Sequence, residues 1–251
     1  MSHDPTNDEL EISVRPPRAV VGRLIVLTAL CHRAYLELAP ASQREAMDSE
    51  GERFDLITWL NETGALAVAT PNEREFLLAP LGLPNRATAD RQSWSIEAAA
   101  VLAWANQLLT TAPDYDAQVT AAPVLAQLPS VGESTEVLLS RFELRAEEAI
   151  AAERERAELW QWRSELARDQ ISTPLHRGGP PQVAMDVAAE GIAAGLLQTQ
   201  NKGDFAVFGL AYFELSLVEV ETLGDIAAER LRALNWLCGF GADWDTTPLE
   251  I

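Results

Sequence analysis

The chain ends with the stretch Glu229–Leu237, which reads ERLRALNWL, followed by Gly239, Gly241 and Asp243-Trp244-Asp245. This stretch places two tryptophans, an asparagine and several charges in one apolar segment. The indole N–H of a buried tryptophan needs a hydrogen-bond partner, so the segment indicates either a well-packed corner of the core or a binding surface. Its spacing predicts a last helix that ends at Trp236 or Cys238, with Gly239 as the C-terminal cap.

Helical periodicity also dominates the rest of the chain. Near the start, apolar residues recur at spacings of three and four and predict a central helix that ends before Pro40; they are Val20, Leu24, Leu27, Cys31, Tyr35 and Leu38. Residues 145–169 are rich in Glu, Ala and Arg and predict the longest helix. Residues 205–212, with Gly209 in the middle, predict two short strands around a turn. We therefore expect a mainly α fold, a single globular helical domain with one small β-hairpin or strand pair.

Shorter elements are expected between these segments. Three potential capping boxes predict helix starts: Ser42 with Glu45, Ser49 with Glu52, and Thr70 with Glu73. Residues 66–69 predict a short strand, and a further amphipathic helix begins near Trp94. Residues 111–132 indicate an irregular connector, and residues 183–197 predict an alanine-rich helix.

The domain boundaries follow from composition. Residues 1–17 are polar and acidic and end in Pro16-Pro17, which predicts a disordered acidic tail. Residues 18–251 are then the single helical domain. Prolines and glycines cluster between residues 171 and 182, which predicts a flexible loop before a C-terminal lobe.

The charge of the chain restricts its partners. The formal net charge is -19 at pH 7, and Lys202 is the only lysine. Duplex nucleic acids and anionic membranes are polyanions that need a basic footprint, so we expect neither as a partner. A basic protein is the partner that this charge favours.

The sequence also indicates a cytoplasmic location. Cys31 and Cys238 lie in apolar helical patterns far apart in the chain, which predicts two buried thiols in a reducing compartment. The apolar run from residue 19 to residue 31 is interrupted by Arg23 and is shorter than a membrane span. We therefore expect no membrane association.

Several segments carry a resemblance to a known family. They include residues 70–77, residues 93–98, the region from 144 to 162, and the C-terminal matches Glu229, Arg230, Ala233, Leu234, Asn235, Trp236, Leu237, Trp244 and Asp245. On these residues the chain resembles the bacterial family known as domain of unknown function 4272. Leu231 stands where that family usually has histidine. The resemblance implies a fold and a bacterial source but no activity, and any activity that needed this histidine would be missing here.

The C-terminal segment supplies the candidate site: Arg230, Asn235, Trp236, Trp244 and Asp245. Arg230 shares a helix face with two leucines and therefore needs a partner, for which Asp243, Asp245, Glu229 and Glu214 are candidates. Three interpretations are open: a structural clasp, a binding pocket and a catalytic site. In a clasp, the asparagine would bridge backbone groups and the two tryptophans would fill the corner.

Other motifs indicate less specific roles. His3, His32 and His176 have no companion ligands, so we expect no metal site and no cofactor. Residues 176–179 could form an anion-binding loop or a plain loop, and residues 160–163 could stack on a planar ligand or pack against helices. No hydrolase, phosphate-loop or dinucleotide motif is present in the sequence.

Two functions fit this sequence. The first is a protein-interaction or accessory module, such as an immunity-like factor, whose acidic surface binds a basic protein and which acts by binding rather than catalysis. The alternative is a small-ligand binder or enzyme with a pocket near the C-terminal Arg/Asn/Trp segment, between the last helix and the helix that carries Trp160. The sequence leaves the oligomeric state open.

Overall fold

The computed structural model describes residues 13–172 and 179–249. Its helices are α1 (Pro17–Leu38), α2 (Ala41–Ala46), α3 (Ser49–Glu62), α4 (Pro71–Leu78), α5 (Arg86–Ser93), α6 (Ser95–Ala105), α7 (Ala121–Leu125), α8 (Glu136–Ser140), α9 (Glu147–Ser172), α10 (Gln182–Ala193) and α11 (Leu217–Leu237). Short 3-10 turns cover Ala65–Val68 and Tyr212–Glu214. The strands are β1 (Gln200–Asn201), β2 (Asp204–Val207) and β3 (Leu210–Ala211). The mainly α prediction is confirmed, and the sheet has a third strand.

Helix α1 lies between two hydrophobic clusters, as its two apolar faces require. One face, with Val20 and Leu24, packs in a first core with α6, α9, α11 and the sheet. The other face, with Ile25 and Leu30, packs in a second core with α3, α4 and the 3-10 turn between them. Because α1 belongs to both clusters, it is the central helix that the sequence predicts.

Helix α1 is also long and apolar enough, by length and composition, to cross a membrane. In this fold, however, 78% of its most apolar window is buried inside the protein. Such burial is typical of the core helix of a globular protein, which passes the same test of length and hydropathy.

Helix α6 is buried over its whole length. A helix that is apolar all round must be covered on every side, and α1 and α11 pack against it. Glu97 is the one charged residue of α6, and this carboxylate is completely buried. A buried charge needs a charged partner, which links α6 to the candidate site described below.

The sheet is antiparallel, in the order β1-β2-β3, with Gln200 opposite Phe205 and Ala206 opposite Ala211. Both connections are two-residue turns, Lys202-Gly203 and Phe208-Gly209, and all four residues have positive φ angles. Positive φ at both central positions is the type I′ pattern, whose twist suits a tight hairpin. Glycine at the second position of each turn therefore favours both hairpins. The sequence analysis predicts only the turn around Gly209.

Several local predictions need correction. Residues 66–68 form part of the 3-10 turn Ala65–Val68, and Ala69 follows it, so this segment is not a strand. The capping box forms at Thr70, but Ser42 and Ser49 lie inside the first turns of their helices, where their side chains do not cap. Helices α5 and α8 were not predicted, and α7 lies within the expected connector.

The ends of the predicted segments also differ. Residues 1–12 of the predicted tail lie outside the described residues. From Ser13 the chain is bonded to the end of α11, since Ser13 N donates to Cys238 O at 3.1 Å and Arg15 N to Leu237 O at 3.0 Å. The last carbonyls of a helix have no partner within it, so this segment supplies their donors. Of the predicted loop at 171–182, residues 173–178 lie outside the described residues, while α9 extends through Ser172 and α10 starts at Gln182.

Candidate functional site

All five N–H donors of Arg230 are bonded within the fold, so none is left for a ligand. Its Nε and Nη2 donate to Glu97 Oε2 at 3.0 and 2.8 Å, and both side chains are completely buried. Nη1 donates to the carbonyls of Pro113 and Asp114, and Nη2 donates to that of Ala117. These five bonds match the five N–H donors of a guanidinium. The partner is therefore Glu97 of α6 and none of the four acidic residues proposed from the sequence.

Asn235 connects three parts of the fold. Its Oδ1 accepts from Arg154 Nε of α9 at 2.7 Å, and its Nδ2 donates to Pro248 O at 2.8 Å. Asn235 is completely buried, and both ends of its amide are bonded. Its position fits the bridging role expected for a clasp.

The two tryptophans pack against each other and against arginines. The rings of Trp236 and Trp244 meet edge to face with centroids 5.8 Å apart. The guanidinium of Arg15 lies over Trp236 at 5.0 Å, and that of Arg23 lies over Trp244 at 4.7 Å. Asp245 is exposed beside this corner. Cation–π contacts and the edge-to-face geometry together favour one arrangement of the rings.

The surroundings of Arg230 recur at three other buried arginines, and the sequence analysis did not predict this. Four arginines are among the largest completely buried side chains, and each contacts both a carboxylate and an aromatic ring. The sets are Arg23 with Glu73 and Trp244, Arg33 with Glu37 and Phe76, Arg163 with Asp204 and Tyr212, and Arg230 with Glu97 and Tyr115. The available signal was an arginine inside an apolar helical pattern, as at Arg23.

A cleft of about 650 Å³ adjoins the C-terminal corner, and we name it the α4–α11 cleft. It lies between α4, α5, α11 and the segment that carries Trp244. Its charged lining residues are Glu73, Glu75, Glu229, Asp245, Arg91 and Arg232. Trp244 and Phe76 supply aromatic walls. Of the five predicted site residues, Trp244 and Asp245 line this cleft, whereas Arg230, Asn235 and Trp236 do not.

Two glutamates of this cleft bond to the rest of the protein through only one carboxylate oxygen each. Glu73 Oε2 accepts from Arg23 Nη2 at 2.6 Å and from Thr70 N at 2.8 Å. Glu229 Oε1 accepts from Arg232 Nη1 at 2.7 Å. The other oxygen of each carboxylate has no hydrogen-bond partner within residues 13–172 and 179–249. Each therefore keeps acceptor capacity in the cleft.

Burial raises the pKa of Glu229 above its ordinary value of 4.5, and the neighbouring charges of Asp225 and Glu73 raise it further against the opposing effect of Arg232. A raised folded-state pKa contributes stability that is complete below the unfolded pKa and is lost as pH rises through the folded pKa. From about pH 4 to about pH 7, we therefore expect Glu229→Gln to gain stability relative to wild type, measured by urea unfolding. The exposed control Glu62→Gln should show no such trend. If the stability of both variants relative to wild type changes equally with pH, this account is contradicted.

A second cleft, of about 600 Å³, lies beside Trp160 and is lined by Tyr115, Glu153 and Arg156. No residue of α11 lines it, so it is not the pocket that the sequence predicts between the last helix and the helix of Trp160. Arg230 does not line it; instead Arg230 holds the loop that carries Tyr115. Burial raises the pKa of Glu153, and Arg156 opposes that rise through its ion pair.

A shallow groove of about 390 Å³ runs between α9 and α10, and we name it the α9–α10 groove. Its apolar lining consists of Leu159, Trp162, Val187 and Leu196. Glu155 and Glu158 complete the lining. Among the described residues, Glu158 pairs with Arg154 at 3.3 Å, and Glu155 has no ion pair.

The remaining sequence candidates have ordinary surroundings. His32 is half-exposed, with Nε2 at 3.6 Å from Glu52 Oε2. His3 and His176 lie outside the described residues, as does most of the candidate loop at 176–179. Within the described parts of the chain, no group of three or more His, Cys, Asp or Glu residues could hold a metal ion. Cys31 and Cys238 are buried free thiols, and burial raises the pKa of each to about 11.

Comparison with protein families places the chain. The model of the family described as Domain of unknown function (DUF4272) matches residues 1–178, more than half of the chain. The chain belongs to the DUF4272 family. Neither the curated proteins nor the solved structures include a match to it. The DUF4272 match contains α4, α5 and α6, whereas α11 and Trp244 lie beyond it.

The position that departs from the DUF4272 pattern faces the core. Leu231 is completely buried and belongs to the first core. Arg232, the next residue, lines the α4–α11 cleft. Neighbouring helix residues point about 100° apart, so the two side chains face different surroundings. A side chain at position 231 therefore contributes to packing here.

Proposed function

We propose that the protein is an interaction or accessory module, immunity-like in its chemistry, that binds a basic protein partner. The supporting observation is the distribution of charge. The chain carries a net charge of -19, and four of its arginines are buried in internal ion pairs. Each pair removes one cation and one carboxylate from the surface, so the surface keeps the excess of 38 acidic over 19 basic residues that the sequence has. Such a surface attracts a basic partner and repels polyanions.

The α9–α10 groove is the contact surface that suits this partner best. On α9, Glu155, Glu158, Leu159 and Trp162 are spaced so that they share one helix face. Tryptophan is among the residues that most often dominate binding energy at interfaces. A groove with an apolar floor and glutamates at its side accepts an amphipathic segment that presents apolar anchors flanked by Lys or Arg.

The partner and the location follow from the same charges and thiols. We propose a protein partner rather than a nucleic acid or a membrane, because both of these are polyanions. We also propose a cytoplasmic location, since the two buried cysteines are unpaired. Fractionation of cells, with the protein detected by an antibody, tests the location.

A lysate pull-down tests the interaction. We expect the immobilised protein to retain a basic partner that elutes as salt rises, because salt screens exposed charges. Trp162→Ala should weaken capture by roughly ten-fold or more, since it removes the aromatic anchor. The matched control is Phe54→Ala, which removes an aromatic side chain that is 65% exposed on α3. Capture that resists salt, or that falls equally in both variants, would contradict the proposal.

A second candidate function, small-ligand binding beside the C-terminal segment, is favoured by the α4–α11 cleft. The volume of this cleft, about 650 Å³, is within the range of small-molecule sites. Trp244 and Asp245, both expected from the sequence to belong to a site, line it. Calorimetry with small charged molecules, described below, tests this function.

A further inference from the structure

We propose that the α4–α11 cleft binds a small organic cation through the free carboxylate oxygens of Glu73 and Glu229. This inference rests on the second candidate function and assigns its ligand class. An alkylammonium or alkylguanidinium group has the N–H donors that two carboxylate acceptors require.

The acceptors are the first argument. Glu73 is only 5% exposed and lines the cleft, yet its Oε1 has no hydrogen-bond partner among the described residues. Glu229 Oε2 is unpartnered in the same part of the structure. Neither oxygen is buried away from solvent, so both can accept hydrogen bonds from a group that enters the cleft.

The charge of the walls is the second argument. Four carboxylates line the cleft against two arginines. Arg232 is already bonded to Glu229, and Arg91 is exposed. The two glutamates also repel each other, because the charge of Glu73 raises the pKa of Glu229. A bound cation relieves this repulsion, whereas a bound anion would add to it.

The aromatic side chains and the oxygen ligands of the cleft restrict the class of ligand further. Phe76 and Trp244 line the cleft and suit the apolar stem of an organic cation. A divalent metal ion prefers six or more oxygen ligands in a compact cage, and no group of three carboxylates among the described residues provides one. The ligand is therefore an organic cation rather than a metal ion.

Titration calorimetry with agmatine tests the inference, with glutarate as the anionic probe and 1,4-butanediol as the neutral one. We expect agmatine to bind with a Kd on the order of 1 mM, and neither other probe to bind measurably. Glu229→Gln should weaken agmatine at least about ten-fold, since it removes a charged acceptor. Glu62→Gln, which makes the same change at an exposed site on α3, should leave the Kd unchanged.

A second variant keeps the test valid if Glu229→Gln unfolds. The double change Glu75→Gln/Asp245→Asn removes two exposed carboxylates of the same cleft and should also weaken agmatine. Agmatine binding that is unaffected by either variant would overturn the assignment to this cleft.

The probes also distinguish a failure of the cationic ligand class from a failure of the second candidate function. If glutarate binds and Glu229→Gln or the double variant strengthens it, the cleft is a ligand site but the cationic class is wrong. If no probe binds, both the class and the second candidate function fail. Capture of a basic protein at the α9–α10 groove is measured separately and depends on Trp162.

Discussion

Replacing Arg230 by methionine should lower the free energy of unfolding by about 3–5 kcal/mol, the range for breaking one partner out of a buried ion pair. Glu97 is completely buried in the first turn of α6, and Arg230 supplies its charged partner. The substitution also removes the donors for three carbonyls between Pro113 and Ala117. Both losses leave polar groups buried without compensation, and that is the main reason for the large effect.

Urea unfolding followed by tryptophan fluorescence measures this change. The double variant Arg230→Met/Glu97→Leu should recover much of the loss, because apolar pairs of similar volume can replace a buried ion pair. The control is Arg86→Met, whose arginine is 81% exposed in its contact with Asp90 and should contribute less than about 1 kcal/mol. If Arg230→Met and Arg86→Met unfold alike, Arg230 does not stabilise the fold as a clasp.

The need for this partner was predictable from the sequence, but its identity was not. Arg230 lies among leucines on an amphipathic helix, so its burial and pairing could be expected. The expected partners were acidic residues close to it in the chain. The actual partner, Glu97, is 133 residues away and is brought near by the packing of α6 against α11. Spacing along one chain does not contain that information.

The length of each element decided how well it could be predicted. Helices α1, α9 and α11 are long, and their apolar residues repeat often enough to show a helical period. Helices α5, α7 and α8 have at most eight residues, which is too short for a period to stand out. Residues 66–69 show a similar limit, since a short apolar run fits a strand and a turn of helix equally well.

Only part of the candidate site could be predicted from the sequence. Trp244 and Asp245 line the α4–α11 cleft, and both were expected to belong to a site. Glu73 was expected only as a capping residue, which it is, while its second oxygen remains in the cleft. The cleft combines α4, α5 and α11, and only the tertiary fold brings these elements together. A second role for a capping glutamate has no sequence signal of its own.

The second large effect is expected at Asp204, the first residue of β2. Its Oδ1 accepts from Arg163 Nε at 2.7 Å and from Phe205 N at 2.8 Å. Its Oδ2 accepts from Arg163 Nη2 at 2.6 Å and from Phe213 N at 3.0 Å. Both side chains of the ion pair are completely buried. One carboxylate therefore fixes the position of the hairpin on α9 and the chain after β3.

Asp204→Asn should lower the free energy of unfolding by about 3–5 kcal/mol, because it leaves Arg163 charged and buried without a carboxylate. The amide that replaces one oxygen also turns an N–H group toward donors that need an acceptor. The same change at exposed Asp55 serves as the control and should stay within about 0.5 kcal/mol of wild type. Urea unfolding gives the free energies, and hydrogen exchange of the amides of Phe205 and Phe213 reports the hairpin directly. If these amides stay protected in Asp204→Asn, the hairpin is held by packing of its apolar residues and the ion pair is secondary.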